Sequence, residues 1–211
     1  MITQKRLPIW RFLLPISLQV ALIAAVPAQA VYTYFTGTKV ILQTAPVDPY
    51  DFLRGYYQTL NYEISQVDTL RNLPGWDTLP KSAGDSNYLQ SGSRLYVILE
   101  QPDSQSRGEI PAPWQPVRVA ASRPENLARD RVVIEGVTRY NSVQYGLERY
   151  YLPEDQRDQI NTEIRTIQQR TRQPDDPPNN TNIPFVVEVK VSQNGNAVPV
   201  SLWIGDRNYR F

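Results

Sequence analysis

Residues 183–204 read IPFVVEVKVSQNGNAVPVSLWI, two β-prone runs on either side of Asn194-Gly195. Asn-Gly between alternating apolar residues is the strongest short-range signal for a two-residue hairpin turn, whose central positions need positive φ. Setting Gln193 opposite Asn196 pairs Val191 with Val198, Val189 with Val200, Val187 with Leu202 and Phe185 with Ile204. All four pairs share one face, while Glu188, Lys190 and Ser201 take the other. The spacing predicts an antiparallel hairpin with one buried side.

Moving toward the N-terminus, residues 174–182 (PDDPPNNTN) read as an exposed loop. Before it, Pro153 suits the first position of a helix over about 153–171. Glu154, Asp155 and Asp158 crowd its start and Arg165, Arg170 and Arg172 its end, the polarity a helix dipole favours. Ile160, Ile164 and Ile167 form one narrow apolar stripe, as on a surface helix. Gln144–Leu152 and Arg131–Tyr140 read as strands paired around Asn141-Ser142. Gln115–Ser122 and the continuous apolar run Arg94–Glu100 are two more. Asp68–Ser93 is punctuated by Pro74-Gly75, Pro80, Gly84 and Gly92 and reads as loop. Tyr56–Ile64 alternates, with Leu60, Tyr62 and Ile64 on the expected core face and Tyr57 on the other. Gly37–Thr44 is a short strand, separated from that run by a rigid corner at Pro46 and Pro49. Together these predict an α+β domain, mainly antiparallel β, that can close into a partial barrel with one surface helix.

The N-terminus differs in kind. Lys5, Arg6 and Arg11 are its only charges, and Phe12–Phe35 carries none. As a helix that uncharged stretch would extend about 36 Å, enough for a bilayer core. The basic flank stays on the cytoplasmic side, so the remainder is expected outside, in the periplasm or its equivalent. Tyr32, Tyr34 and Phe35 would sit at the far interface. An alternative is a cleaved signal of residues 1–30, because Pro27 is followed by Ala28-Gln29-Ala30, a small-x-small site, and the product would be secreted. The organisation expected is an anchor over 1–36 and a β-rich domain over 37–211.

Composition excludes much chemistry. Among 211 residues there is no cysteine and no histidine, which removes disulfides, thiolate nucleophiles, His-based triads and Cys/His zinc sites. The 22 basic and 21 acidic groups leave no footprint for nucleic acid. Without residues 1–30 the balance is 19 to 21, so attachment to a membrane rests on the apolar span rather than on charge. No GxSxG, P-loop or GxGxxG occurs, and no cofactor is expected.

Two separated segments carry a resemblance. Pro46-Val47-Asp48-Pro49, Arg54 and Gly55-Tyr56-Tyr57-Gln58-Thr59-Leu60-Asn61-Tyr62, with Tyr145–Glu154 (YGLERYYLPE) later, resemble the GDYXXLXY family of bacterial proteins. Gly55, Tyr57, Leu60 and Tyr62 match the namesake pattern, and Tyr56 stands where the family has Asp. The resemblance implies a small membrane-attached protein, often accompanied by a multi-span membrane protein, with no established activity. If the family carboxylate does chemistry, this chain has lost it at Tyr56.

Each candidate residue has a plain reading. Arg54-Gly55 suits a turn, with an anion contact for Arg54 as the sharper alternative. Tyr57 and Tyr62 face opposite ways, so one belongs to the core and the other to a loop or partner. Gly146 marks the second segment. Glu148 and Glu154 are the only carboxylate pair near a motif, and a glycosidase needs two across a cleft. Glu154 is already accounted for by its helix start. The expected function is a non-catalytic, membrane-anchored extracytoplasmic domain that associates with an integral membrane protein. The alternatives are an envelope-glycan hydrolase or transferase using Glu148/Glu154, and a secreted small-ligand-binding domain.

Overall fold

A computed structural model describes residues 9–44, 58–83, 85–103, 106–107, 110–150, 162 and 185–210. Helix α1 (Trp10–Thr36) runs into β1 (Thr38–Gln43) with Gly37 alone between them. Then come β2 (Gln58–Thr59), a 3-10 turn at Glu63–Ser65, α2 (Val67–Arg71) and a second 3-10 turn at Trp76–Thr78. Strands β3 (Lys81–Ser82), β4 (Asp85–Leu89), β5 (Arg94–Glu100), β6 (Ser106–Arg107), β7 (Ile110–Pro111) and β8 (Gln115–Ala120) follow. The rest are β9 (Arg131–Arg139), β10 (Ser142–Gln144), β11 (Arg149–Tyr150), β12 (Phe185–Val191), β13 (Ala197–Ile204) and β14 (Arg207–Arg210).

Two four-stranded antiparallel sheets carry the domain, in the orders β1-β12-β13-β14 and β10-β9-β5-β8. Both contribute to one core. Val40, Leu42, Val187, Val189, Leu202 and Ile204 come from the first, and Leu95, Val97, Leu99, Val119 and Ile134 from the second. The α+β, β-rich reading holds, but among the described residues the sheets remain open at their edge strands and no barrel closes. Among the described residues no ladder joins them. The β12–β13 turn does, because the Glu135 amide on β9 donates to the Gly195 carbonyl at 2.9 Å.

The hairpin at Asn194-Gly195 forms with a shifted register. Phe185 faces Ile204 and Val187 faces Leu202 as expected, but Val189 faces Pro199 and Val191 faces Ala197. The loop has three residues rather than two: the Gly195 amide donates to the Ser192 carbonyl, and the Ser192 amide to the Asn196 carbonyl. Gly195 sits at φ 88, the left-handed position such a loop needs. A bulge then leaves Val200 without a cross-strand partner and restores the register beyond it. Pro199, with no amide to donate, is suited to that break.

Three other expectations need correction. Among its described residues, 58–64, the predicted strand Tyr56–Ile64 is a ladder at Gln58–Thr59 alone and coils into a 3-10 turn from Glu63. Leu60, Tyr62 and Ile64 are nonetheless buried and Asn61 and Glu63 exposed, so the alternation reports sidedness without a strand to pair with. Asp68–Ser93, read as loop, contains most of α2, a 3-10 turn and the β3–β4 pair. The predicted strand Gln144–Leu152 leaves β9 after Gln144. Its hairpin turns at Tyr140-Asn141, with Ser142 already facing Arg139.

Helix α1 forms where the uncharged run predicts. Its apolar side chains surround it on all sides and stand exposed: Leu14 by 65%, Ile23 by 67%, Phe35 by 77%. Pro27 removes the amide that would bond the Ile23 carbonyl and crowds it, and the segments Trp10–Ala25 and Pro27–Thr36 meet at 43°. No single helix among the described residues is long and apolar enough to cross a membrane; the bent pair reaches that length and composition together. At its end Thr33 is buried, and the Gly37 amide donates to the Thr33 carbonyl. A Cβ at Gly37 would lie 2.6 Å from that oxygen and 3.0 Å from the Val191 carbonyl. The last turn is therefore seated directly on the end of β12.

Thr162 is helical, and the rest of the helix expected over 153–171 lies outside the described residues. So do the loop 174–182 and the corner at Pro46–Pro49.

Candidate functional site at the junction of the two motif segments

The two segments that carry the resemblance meet. Arg149 and Tyr150 of β11 pair antiparallel with Thr59 and Gln58 of β2. The ladder extends by one bond, from the Leu60 amide to the Glu148 carbonyl at 2.8 Å. Beyond it a pair of tyrosines crosses over. Tyr62 donates its hydroxyl to the Leu147 carbonyl at 2.9 Å, and Tyr145 donates to the Ile64 carbonyl at 2.6 Å. Leu60, Tyr62 and Leu147 are completely buried and Tyr145 nearly so.

Local backbone geometry makes this crossing available. After Gln144 the chain must leave β9 and turn toward β2, and Gly146 takes φ 77 to do it. A Cβ there would meet nothing within 4 Å, so the glycine answers a conformational need and not a spatial one. Glu148 closes the turn: its Oε1 accepts the Tyr145 amide at 2.6 Å. On the other side, Tyr62 bridges to Thr44 at the end of β1. Thr44 in turn donates through its hydroxyl to the Phe185 carbonyl at 2.9 Å, tying the junction to the first residue of β12.

Electrostatics keeps both phenols protonated. Burial pushes the Tyr62 hydroxyl far above the ordinary tyrosine range, and the charge of Glu148 pushes it further. The same two causes, in the same order, raise Tyr145. Each hydroxyl is thus a fixed donor to a backbone carbonyl, neither a base nor a nucleophile. Glu148 is half-buried with Oε1 engaged by backbone. Among the described residues no three acidic side chains converge to hold a cation. What this arrangement does chemically is to lock two distant stretches together.

Of the predicted site residues, the structure brings together Leu60, Tyr62, Gly146 and Glu148. Arg54, Gly55, Tyr57 and Glu154 lie outside the described residues, as does Tyr56. Two participants escaped the sequence reading. One is the Tyr145 hydroxyl. The other is Gly136 on β9, where a Cβ would lie 2.5 Å from Val143 Cγ1 and 2.8 Å from Tyr145 Cε1. An isolated glycine inside the apolar run Arg131–Tyr140 was the available signal, since such a glycine often marks close approach.

Neither a curated protein nor a solved structure matches this chain. A family model described as GDYXXLXY protein matches residues 19–202, which span α1 from its middle, both motif segments and most of the β12–β13 hairpin. By that match the chain belongs to the GDYXXLXY protein family.

Proposed function

We propose that this protein is a non-catalytic domain anchored in a membrane by α1, held outside the cytoplasm, and associated with an integral membrane protein. The observation that carries the reading is α1 itself. Its described apolar side chains are exposed around the whole circumference from Ile9 to Ala25 and from Pro27 to Tyr32, and the β domain covers little beyond Thr33. Such a helix has no stable place in water, and lipid or a protein span is the environment that suits it. Lys5, Arg6 and Arg11 favour the orientation with the domain on the far side. The engagement of Glu148 by the Tyr145 amide supports a structural role for that carboxylate rather than glycan hydrolysis.

The test is fractionation of the native host, with an alkaline carbonate wash and mass spectrometry of the intact protein and its co-purifying partners. Retention in the washed membranes with residues 1–30 present is the expected result. A soluble form beginning at Val31 would overturn the anchor.

A further inference from the structure

We infer that α1 is also a pairing surface, and that the occupant of its Gln19 face is α1 of a second copy of this chain. This rests on the membrane-anchor reading. The rise from Phe12 to Tyr32 is about 30 Å, the thickness of a hydrocarbon core. Three polar side chains fall inside it: Ser17, Gln19 and Gln29. Ser17 is satisfied within the helix, its hydroxyl donating to the Leu14 carbonyl at 2.9 Å. Gln29 is one turn from Tyr32, near enough for its side chain to reach the interface. Gln19 has neither outlet. It lies about 10 Å in from Phe12, it is exposed, and its amide meets no partner among the described residues.

An amide left unpaired in hydrocarbon is costly, so a neighbouring span must supply both a donor and an acceptor at that depth. A second copy does so by construction. Two helices related by a two-fold axis bring identical amides to the same level, each donating to the other. The packing surface around it is present too. Phe12, Ile16, Gln19 and Ile23 are spaced 4, 3 and 4 apart, one stripe along the segment Trp10–Ala25, and all four are exposed. The bend at Pro27 lies beyond the stripe, so pairing leaves Pro27–Thr36 free to carry each domain.

The chain has no cysteine, which makes any introduced thiol unique. Ile23→Cys in the full chain, oxidised in native membranes with copper-phenanthroline, should give a disulfide-linked species of twice the chain mass. Ala21→Cys, on the opposite side of the helix, should not. Adding Gln19→Leu to Ile23→Cys should lower the linked fraction about three- to tenfold, and Gln19→Asn should preserve it. A monomeric Ile23→Cys protein in carbonate-resistant membranes would overturn the pairing and leave the anchor standing. Equal linkage from Ala21→Cys, or from the Gln19→Leu variant, would also overturn it, and a product of any other mass would assign the face to a foreign helix. Release by carbonate would remove the anchor and the pairing together.

Discussion

Tyr62 and Tyr145 hold the two motif segments by reciprocal bonds: each donates its hydroxyl to a main-chain carbonyl two residues from the other, Tyr62 to Leu147 and Tyr145 to Ile64. The first bond spans 85 residues of chain and the second 81. Both are buried, so the carbonyls have no water to fall back on.

Tyr62→Phe and Tyr145→Phe should each destabilise the protein by about 1–2 kcal/mol, because each orphans a buried acceptor. The double variant should lose more than the sum, since either bond alone still fixes the crossing and only the double variant releases it. Denaturation of the full chain in mild detergent measures all three. Strict additivity would show that the bonds act independently.

Stability should fall as pH rises above about 10. Both phenols are raised in the folded protein, so the folded state favours the protonated form. The associated stability is fully present below the unfolded tyrosine value near 10 and is lost as pH climbs toward the folded values. The Tyr62→Phe/Tyr145→Phe variant should show a flatter alkaline limb than the wild type. An unchanged limb would mean that other groups govern alkaline unfolding.

Gly136→Ala and Gly146→Ala should both be destabilising, for different reasons that Asn substitution separates. At Gly136 the new methyl meets Val143 and the Tyr145 ring at under 3 Å, an overpacking cost of about 1–3 kcal/mol. Asn there should be worse still. At Gly146 there is open space but φ is 77, a cost of about 1–2 kcal/mol for Ala. Asn tolerates that region better and should recover part of the loss. If Asn is the worse substitution at Gly146 as well, space rather than backbone conformation is what matters there.

Glu148→Gln should change stability by less than about 0.5 kcal/mol, because the amide oxygen can still accept the Tyr145 N–H. Glu148→Ala should cost about 1 kcal/mol. Melting temperatures of the two, beside a glycan-hydrolysis assay on wild type, decide the point. A Gln variant that melts several degrees higher while a wild-type hydrolytic activity disappears would make Glu148 catalytic.

Most of the strands and their buried sides are determined by the sequence alone. The uncharged run from Phe12 to Phe35 dictates an apolar helix, and the alternation in Val187–Val191 and Leu60–Ile64 dictates which side chains go inside, although Val186 and Ser201, expected on the other face of the hairpin, are buried as well. These are local properties, set by a 3.6- or 2-residue period in neighbouring positions. Register and partnership are not local. Asn194-Gly195 called for a two-residue turn, yet the Glu135 amide on β9 takes the Gly195 carbonyl, the loop holds three residues, and Val200 bulges. Alternation through Ile64 called for a strand, but among the described residues only the Leu60–Glu148 bond and a single Tyr62–Thr44 bridge follow Thr59, so the ladder stops. The meeting of the motif segments depends on Gly146 turning the chain off β9 and on a space above Gly136 that admits the Tyr145 ring. A sequence period records which side of an element is apolar. Which element covers that side, and which carbonyl a buried hydroxyl reaches, is decided only when distant segments compete for the same core.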